Sequence, residues 1–366
     1  MQVAYDGHIF RWQKVGGVSR YFREVISRLP RDWTPAILGE AAPQNLPAHP
    51  RLIASGLSSL RPRSLSQPLK VRWWEQRHLS RAQVFHPTYY GLTGGLSYAR
   101  IKCPVVVTVH DLISATYPQL EDDGAATTQG MRMALDRADH AICVSRATER
   151  DLLTHFPHMA GKTSVIYHGT SFEVVREAAP PSIFEVPVFL FVGRRSTYKN
   201  FALLLRAFAR ACQSHPTMRL CAAGGPLTEE EKWQIHFLGI SGRVDAVAYP
   251  SEEKLEQLYQ GSVALLYPSR HEGFGIPALE AMACGTLAVT ANTTSLPEVV
   301  GDAGIMLDPA DEAAWTDCML AIATDKVRRS ELLERGRRRA TEFSWEATAA
   351  KHAAEYRRLA LASSRP

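Results

Sequence analysis

Strand-length apolar runs recur along this chain, and segments with helical periodicity separate them. Runs such as Val105–Val109 and Val188–Val192 are apolar at almost every position instead of alternating with polar residues. Strands that are buried on both faces of a parallel sheet have this composition. Parallel strands need crossover connections, which helical segments such as Phe201–Gln213 and Glu229–Leu238 can supply. The pattern therefore predicts an α/β fold built from doubly wound parallel sheets.

A polar, proline-bearing segment divides the chain near its middle. Residues 177–187 contain Pro180 and Pro181 and are predicted to be a linker. A length of 366 residues suits about two domains. We predict one Rossmann-like domain over residues 1–176 and a second over 188–343, facing each other across a cleft. Residues 344–366 have a helical pattern, and one option is that this helix crosses back to bury its apolar face on the first domain.

Charge and cysteine content exclude several classes of protein. The 42 Lys and Arg residues exceed the 37 Asp and Glu residues by five, which suits an anionic ligand but is too small an excess to indicate nucleic-acid binding. The six cysteines form no C-x-x-C pair and no zinc-binding spacing, so free thiols in a reducing compartment are predicted. No apolar run approaches the roughly 20 residues of a membrane span, and the N-terminus lacks the features of a signal peptide. We therefore expect a cytoplasmic protein.

Two carboxylates flank a predicted strand–helix turn in the second half of the chain. Glu272 follows the apolar run Val263–Tyr267, and Glu280 lies just beyond Pro277, a residue that suits the first turn of a helix. Backbone N–H groups at a helix start attract anions, so one carboxylate would lie on each side of a bound diphosphate. A nucleotide-sugar has this pattern of hydroxyls around a diphosphate. The alternative is an ordinary turn whose acids favour the helix dipole.

A basic loop follows the apolar run Val188–Val192. Arg194 or Arg195 together with Lys199 would place two positive charges after the carboxyl end of a strand, where ligands bind in open α/β sheets. Cations at this place could neutralise a departing diphosphate. A surface loop that happens to be basic is the alternative interpretation.

The first half of the chain contains a glycine pair and a histidine at predicted strand ends. Gly16 and Gly17 precede a helical segment and would allow the backbone to approach a phosphate or an acceptor closely. The segment is not G-x-G-x-x-G, so dinucleotide binding fits poorly. His110 follows the apolar strand and would face the predicted cleft, although a lone histidine is often structural.

These elements, in this order, resemble the retaining glycosyltransferases of family 4, which have the GT-B fold. Glu272 and Glu280 have the register of the E-x7-E signature, and Gly193-Arg194 with Lys199-Asn200 is similar to the G-R-x4-K-[GN] loop. Val109-His110-Asp111 matches the V-H-D strand end, and Gly16-Gly17 the N-terminal glycine loop. The segment from Ser295 to Gly304 is also similar. The resemblance covers nearly the whole chain and is weakest over residues 31–80.

The resemblance implies a role for each matching residue. Glu280 would hold the nucleotide ribose and Glu272 the hydroxyls of the transferred sugar, while His110 would contact that sugar near its reacting carbon. Arg194 and Lys199 would stabilise the leaving diphosphate. Backbone groups of the remaining donor-binding residues would contact the sugar and phosphates: Gly17, Gly193, Phe274, Gly275 and Ile276. Glu298 needs no role in ligand binding, because Ser295-x-x-Glu298 has the spacing of a helix capping box.

The opening segments Tyr5–Phe10 and Gly16–Phe22 resemble those of bacterial mannosyltransferase-like enzymes that build O-antigen or exopolysaccharide. The resemblance implies GDP-mannose or a related GDP-sugar as donor and a saccharide or polyprenyl-diphosphate-linked saccharide as acceptor. It also implies that no metal or other cofactor is needed, and Asp122-Asp123 makes no convincing D-x-D motif. The segment Arg61–Arg81 mixes arginines with Trp73 and Trp74. It suits peripheral contact with an anionic membrane, or alternatively a helix that packs its tryptophans into the core.

Two other functions remain open at this point. A nucleotide-sugar epimerase or NAD-type oxidoreductase would use the same fold, although G-x-G-x-x-G is missing after Gln2–Tyr5. A non-catalytic binding partner would have no need of an intact set of Arg194, Lys199, Glu272 and Glu280. The retaining glycosyltransferase is the interpretation that uses all of these residues.

Overall fold

The computed structural model describes residues 1–13, 16–39, 46–57, 63–117, 124–175, 186–195, 197–324 and 326–363. The chain forms two compact units, the first made of Met1–Gly169 and Ser344–Pro366 and the second of Thr170–Phe343. Each unit is a parallel sheet with helices, so the predicted Rossmann-like architecture is confirmed. Residues 177–185 of the predicted linker lie outside the described residues, as does the Asp122-Asp123 pair.

In the sheet of the first unit, the direction in which strands are added reverses at the strand that comes first in the chain. Its described strands are β1 (Gln2–Tyr5), β2 (Thr34–Leu38), β3 (Ile53–Ser55), β4 (Val84–Phe85), β5 (Val106–Val109), β6 (His140–Cys143) and β7 (Thr163–Val165). They pair in parallel in the orders β3-β2-β1-β4 and β5-β6-β7. A parallel bridge between Phe85 and Val105 joins the two parts. The chain therefore adds strands on one side of β1 and then continues on the other side.

Strands β2 and β3 were missed by the sequence analysis. Pro35 lies within β2, and a proline normally argues against an interior strand because it lacks a backbone N–H donor. In the structure Pro35 pairs with Val3 of β1 in parallel register, and four of the five residues of β2 are buried. Strand β3 has only three residues, and none of them is fully buried. Burial in the sheet therefore decides β2, and pairing with β2 decides β3.

The helices of the first unit cover its sheet, and the last helix of the chain is one of them. They are α1 (His8–Trp12), α2 (Gly17–Ser27), α3 (Arg63–Arg77), α4 (Ile113–Thr116), α5 (Gly124–Arg137), α6 (Arg146–His155) and α14 (Trp345–Ser363). Trp345, Ala353 and Tyr356 of α14 pack in one apolar cluster with β1 and α2. A Cβ on Gly169 would lie 2.2 Å from the backbone nitrogen of Trp345, so close approach there requires glycine.

A buried chain of hydrogen bonds connects α14 to the sheet. The Tyr356 hydroxyl lies 2.6 Å from Nδ1 of His86, and Nε2 of His86 lies 2.9 Å from the Thr108 hydroxyl. The Thr108 hydroxyl lies 3.0 Å from that of Tyr21, which in turn is 2.5 Å from Nε2 of His352. Both ring nitrogens of His352 are engaged, because Nδ1 lies 2.8 Å from the backbone oxygen of Thr348. These bonds satisfy polar groups that would be costly to bury alone.

Burial keeps the histidines of this network neutral. It lowers the pKa of His352 to about 4, although the Thr348 carbonyl and the Glu355 charge oppose the shift. It also lowers the pKa of His86 well below the ordinary value, and the neighbouring rings of His352 and His110 add to the effect. A neutral imidazole can accept one hydrogen bond and donate another, which the chain of bonds requires.

The second unit has the strand order β10-β9-β8-β11-β12-β13. Its described strands are β8 (Val188–Val192), β9 (Arg219–Gly224), β10 (Val244–Ala248), β11 (Ala264–Tyr267), β12 (Leu287–Ala291) and β13 (Ile305–Leu307). Its helices are α7 (Phe201–Ser214), α8 (Glu229–Phe237), α9 (Glu252–Gln260), α10 (Ile276–Ala283), α11 (Leu296–Val300), α12 (Glu312–Thr324) and α13 (Lys326–Ala340). All five pairs of neighbouring strands are parallel. Apolar side chains of α7 and α12 pack against the sheet.

A search of the described helices for one long and apolar enough to cross a membrane finds none.

The first unit should lose stability as the pH falls below the ordinary histidine pKa of about 6.5. The unfolded state takes up protons there, while the folded state excludes them from His352 until the pH approaches about 4. Each such histidine should cost about 1.4 kcal/mol of unfolding free energy per pH unit in that window. Urea denaturation at a series of pH values measures the slope. The variant His352→Gln should give a shallower slope, and His155→Gln, at an exposed position, the wild-type slope. An unchanged slope in His352→Gln would contradict the assignment.

Candidate active site

The strand order of the second unit reverses between β8 and β11, which are paired in parallel. Strands β9 and β10 continue on one side of β8, while β11 to β13 continue on the other side. The loops that leave the carboxyl ends of β8 and β11 therefore diverge and leave a crevice, where ligands bind in open α/β sheets. The predicted basic loop follows β8 and the predicted acidic segment follows β11. The topology brings these two sequence motifs together.

Lys199 and Glu272 make direct contact across this crevice. Nζ of Lys199 lies 2.5 Å from Oε1 of Glu272 and 2.7 Å from the hydroxyl oxygen of Tyr267. The Lys199 and Glu272 side chains are only 12% and 10% exposed. The ammonium also lies 5.0 Å from the ring centroid of Tyr267 and 5.3 Å from that of Tyr198, within the range of cation–π attraction. Burial, reinforced by the Glu272 charge, raises the pKa of Tyr267 well above its ordinary value. The phenol therefore remains protonated and can accept from Lys199.

Thr294 and Ser295 hold the backbone of Glu272 from both sides. The Glu272 N–H donates to the Thr294 hydroxyl at 3.0 Å, and the Ser295 hydroxyl donates to the Glu272 carbonyl at 2.9 Å. Thr294 has a φ of 50°, a left-handed conformation that is strained for a β-branched residue. Such strain persists only where surrounding contacts enforce it. The hydrogen bonds of Thr294 and Ser295 to the backbone of Glu272 are contacts of this kind.

The predicted capping box at Ser295 and Glu298 is wrong. Ser295 precedes α11, but its side chain makes no capping hydrogen bond to that helix, because it bonds to Glu272 instead. The S-x-x-E spacing at these positions therefore does not form a capping box. Glu298 lies half-buried in α11, and its carbonyl accepts a hydrogen bond from Nη2 of Arg339.

Glu280 lies on α10 and is fixed by a tyrosine. The carboxylate is 3% exposed, and its Oε2 accepts a hydrogen bond of 2.9 Å from the hydroxyl of Tyr259. Gly275 precedes the helix with a φ of 101°, and a Cβ on it would lie 2.7 Å from Leu296. Glycine is therefore required for α10 to begin this close to α11. Ile276 begins the helix, and Phe274 is buried with its ring edge-on to Phe343.

The structure separates the two arginines of the basic loop. Arg195 is committed to structure: its Nε lies 2.7 Å from Oε1 of Glu231, and its Nη2 donates to the carbonyls of Gly225 and Pro226. Arg194 is exposed and makes no hydrogen bond or ion pair with another described residue. Gly193 has a φ of 124°, and a Cβ there would meet no atom within 4 Å. Of the two arginines left open by the sequence, Arg194 is the exposed one, whereas Arg195 is engaged through Nε and Nη2 and its buried Nη1 has no partner in the described part of the chain.

His110, Gly16 and Gly17 belong to the first unit. Gly17 begins α2, and Gly16 precedes it. The side chain of Gln13 accepts a hydrogen bond of 3.0 Å from the backbone nitrogen of Ser19 in the first turn of that helix. His110 follows β5, and its ring lies edge-on to Tyr21 with centroids 4.9 Å apart. Burial lowers the pKa of His110 to about 3, and its buried Nε2 has no hydrogen-bond partner in the described part of the chain.

The structure thus brings Lys199 and Glu272 into contact and leaves Arg194 exposed on the same loop. Sequence reasoning missed the groups that contact Lys199, Glu272 and Glu280, namely Tyr198, Tyr259, Tyr267, Thr294 and Ser295. Tyr267 ends an apolar strand next to the acidic segment, which is a signal that could have been used. Tyr259 and Thr294 give no local signal, because only the packing of separate segments places them there. Within the described residues, no cluster of three or more His, Cys, Asp or Glu side chains could hold a metal ion.

Two family models match the two halves of the chain. Residues 15–174 match "Glycosyltransferase Family 4", and residues 178–339 match "Glycosyl transferases group 1". The O-antigen chain mannosyltransferase B of Escherichia coli is 30% identical over 255 residues, which cover 66% of this chain and 67% of that protein. The chain belongs to glycosyltransferase family 4. It is therefore a glycosyltransferase with the GT-B fold, which removes the epimerase and oxidoreductase alternatives.

Other similar proteins are named for, or were solved with, different small molecules. The D-inositol 3-phosphate glycosyltransferase of Corynebacterium diphtheriae is 27% identical over 299 residues, with 75% of this chain and 70% of that protein covered. The fold also matches the Anabaena protein HepE, solved with UDP and glucose, with a TM-score of 0.74 and 18% identity over 97% of this chain and 98% of that chain. These comparisons establish a family of sugar transfer enzymes and leave the donor and acceptor open.

We expect the Lys199–Glu272 pair to be strongly coupled energetically. Removing one partner leaves a buried charge without its counter-ion, which costs about 3–5 kcal/mol in comparable sites. A double-mutant cycle with Lys199→Met and Glu272→Gln, measured by urea denaturation, should give a coupling of about 1.5 kcal/mol or more. The exposed pair of Lys232 and Glu229, which has a 2.7 Å contact, is the control and should give under about 0.5 kcal/mol. Equal coupling in the two cycles would contradict the assigned contact.

Proposed function

We propose that this glycosyltransferase moves a hexose, with retention, from a GDP-sugar such as GDP-mannose to a saccharide or a polyprenyl-diphosphate-linked saccharide. The process served would be synthesis of a cell-surface polysaccharide. The observation that carries the proposal is the Lys199–Glu272 contact at the crevice between β8 and β11. This contact places a cation and an acceptor of hydroxyl hydrogen bonds side by side, as a sugar diphosphate requires.

Lys199 and Arg194 would take the charge of the departing diphosphate. Negative charge grows on the diphosphate as its bond to the sugar carbon breaks, so a preorganised cation stabilises the transition state more than the ground state. Lys199 is already oriented by Glu272 and Tyr267 and needs little reorganisation. Arg194 is the exposed cation of the same loop. With these cations in place, we expect transfer to need no divalent metal ion or other cofactor.

The carboxylates of Glu272 and Glu280 would bind different parts of the donor. Glu280 would accept from the ribose hydroxyls and Glu272 from hydroxyls of the transferred sugar, while backbone groups of Gly193, Phe274, Gly275 and Ile276 would contact the sugar and phosphates. In the first unit, His110 would contact the sugar near its reacting carbon, and Gly16 and Gly17 would allow close approach of the backbone to the phosphates or the acceptor. A neutral His110 can donate a hydrogen bond to a sugar hydroxyl without adding charge.

The similarity to an O-antigen mannosyltransferase supports mannose as the transferred sugar. A thermal-shift screen with GDP-mannose, UDP-glucose and ADP-glucose tests the donor, because a ligand present at about 100 times its Kd stabilises the folded protein by roughly 2.7 kcal/mol. We expect GDP-mannose to give the largest shift. The shift should persist in EDTA.

Substitutions at the site test the reaction itself. Lys199→Met should lower kcat for sugar transfer about 100-fold or more, because it removes a charge that acts in the transition state. Glu280→Gln should mainly weaken donor binding, by about tenfold, because it removes a charged hydrogen-bond acceptor from a bound ground-state group. Lys232→Met is the control, at an exposed position on α8. Donor turnover by Lys199→Met at the wild-type rate would refute the proposed role, and wild-type protein that binds no nucleotide-sugar would refute the proposed function.

The exposed face of α3 supports a further part of the proposal, contact with an anionic membrane. Trp74 packs in the core of the first unit, whereas Trp73 is 55% and Leu69 is 69% exposed. Lys70 and Arg72 are exposed beside them. Trp74 therefore packs into the core, as one sequence interpretation predicts, and the exposed Trp73 supports the membrane contact that the other interpretation proposes. The side chains of residues 61–65 lie outside the described part of the segment.

Vesicle sedimentation tests this contact. The protein should bind phosphatidylcholine vesicles that contain phosphatidylglycerol, and Lys70→Glu with Arg72→Glu should weaken binding, since each basic residue near such a surface contributes about 1 kcal/mol. Lys232→Glu is the control, at an exposed position in the second unit. Equal binding of wild type and the double variant, or equal binding to vesicles without the anionic lipid, would contradict the proposed contact.

A further inference from the structure

Three aromatic side chains come together in the first unit: His8 and Trp12 of α1, which follows β1, and Tyr89 in the loop that follows β4. The rings of His8 and Tyr89 are parallel within 10° with centroids 6.2 Å apart, and the rings of Trp12 and Tyr89 are 5.3 Å apart. We call these three residues the aromatic platform. Trp12 is 64% exposed, an unusual position for so large an apolar surface. The platform therefore consists of a largely exposed indole tilted by 38° against the Tyr89 ring, which is itself stacked on His8.

The platform lies at the point where the strand order of its sheet reverses. Strands β2 and β3 continue on one side of β1, and β4 pairs with its other side. His8 and Trp12 follow β1, and Tyr89 follows β4. Ligands bind at this point in open parallel sheets, just as Lys199 and Glu272 lie at the corresponding point of the second sheet. The location of the platform is therefore that of a ligand site.

A buried carboxylate fixes the two loops to each other. Asp6 is fully buried, and its carboxylate accepts hydrogen bonds from the backbone and hydroxyl of Thr88 at 2.7 and 2.9 Å. It also accepts from the backbone of Thr93 at 3.3 Å, and the Thr88 hydroxyl accepts from the backbone of Ile9 in α1 at 3.1 Å. Gly7 adopts a φ of 65° with its Cα packed against the carbonyl of Leu38, which sets the start of α1. Such preorganisation lowers the entropy cost of binding.

We propose that the aromatic platform binds a pyranose ring of the saccharide acceptor, with the sugar stacked on Trp12. This inference rests on the proposed function for the identification of the ligand as a saccharide. A pyranose has a face of C–H groups and an edge of hydroxyls, so it fits a flat aromatic surface that remains open to water around its rim. The negative face of an aromatic ring attracts C–H groups of this kind.

The reacting end of the acceptor would then lie along the same sheet edge. Strand β4 is joined to β5 by the bridge from Phe85 to Val105, so β5 ends two strands away from β1. At a spacing of about 4.8 Å between strands, the start of His110 lies roughly 10 Å from the end of β1. A saccharide held on the platform can therefore extend toward His110.

Another stacked aromatic pair provides a contrast. Trp233 and Phe237 of α8 lie 5.2 Å apart and are 62% and 73% exposed. Their stacking follows from the four-residue spacing on one helix, which places side chains on the same face. The platform instead combines rings from separate segments that a buried carboxylate holds together. Trp233 is therefore a matched control, exposed to the same degree as Trp12 and outside the proposed site.

Saturation-transfer NMR with a panel of methyl pyranosides tests the proposal directly. The panel contains the methyl glycosides of mannose, glucose, galactose and N-acetylglucosamine, and the protein is the full chain. We expect at least one glycoside to bind with its C–H protons saturated. Trp12→Ala should weaken that binding about tenfold or more, and Trp12→Phe should retain most of it because the ring remains. Trp233→Ala should bind the glycoside within about twofold of wild type.

Three results would overturn the proposal. They are glycoside binding by Trp12→Ala at the wild-type affinity, loss of binding in Trp233→Ala, and no binding of any panel member by wild type. A donor sugar is the other source of a pyranose, and Glu272→Gln distinguishes it. If Glu272→Gln abolishes glycoside binding and Trp12→Ala does not, the ring belongs to the donor site. Nucleotide-sugar binding is measured separately by thermal shift. If the protein binds no nucleotide-sugar but still binds the glycoside, the proposed function is refuted and the proposed sugar binding by the platform is not.

Discussion

Parallel strand pairing with one reversal of strand order is the constraint on which both units depend. Parallel strands end at a common edge, so each loop that carries polar residues after a strand is delivered to the same side of its sheet. At the reversal, two loops diverge instead of packing together. In the second unit this brings Lys199 to within 2.5 Å of Glu272, although 73 residues separate them in the chain. In the first unit the same arrangement brings Tyr89 against His8 and Trp12.

Both candidate sites depend on buried polar contacts that hold their side chains or loops in place. Tyr267, Thr294 and Ser295 fix Lys199 and Glu272, and Asp6 fixes the loops of the aromatic platform. The network from Tyr356 through His86 to Tyr21 fixes the surroundings of His110 and includes the last helix of the chain. Buried networks of this kind are favourable only when every member is satisfied. They explain why a surface formed by loops can still have defined geometry.

The elements that could be predicted were those with strong local patterns. The apolar run Val188–Val192 has the bounds of β8, and the run Val263–Tyr267 differs from β11 only in its first residue, because continuous burial leaves a clear composition. The motif residues Glu272 and Lys199 were also identified and lie together as expected for one site. Strand β2 was missed because Pro35 hides it, and the capping role of Ser295 was wrong because a nearby carbonyl competes for its hydroxyl. Local spacing cannot reveal such a competitor.

The sequence by itself determined the fold class, the order of the elements and the identity of the acidic and basic motifs, since these depend on residue type and periodicity along the chain. Only the tertiary structure decided which of Arg194 and Arg195 is exposed, because Glu231 and two carbonyls that engage Arg195 come from a separate segment. It also decided that Trp12 is exposed against the ring of Tyr89 while Trp74 is buried. Each of these outcomes depends on contacts between residues distant in sequence, and a local pattern contains no information about them.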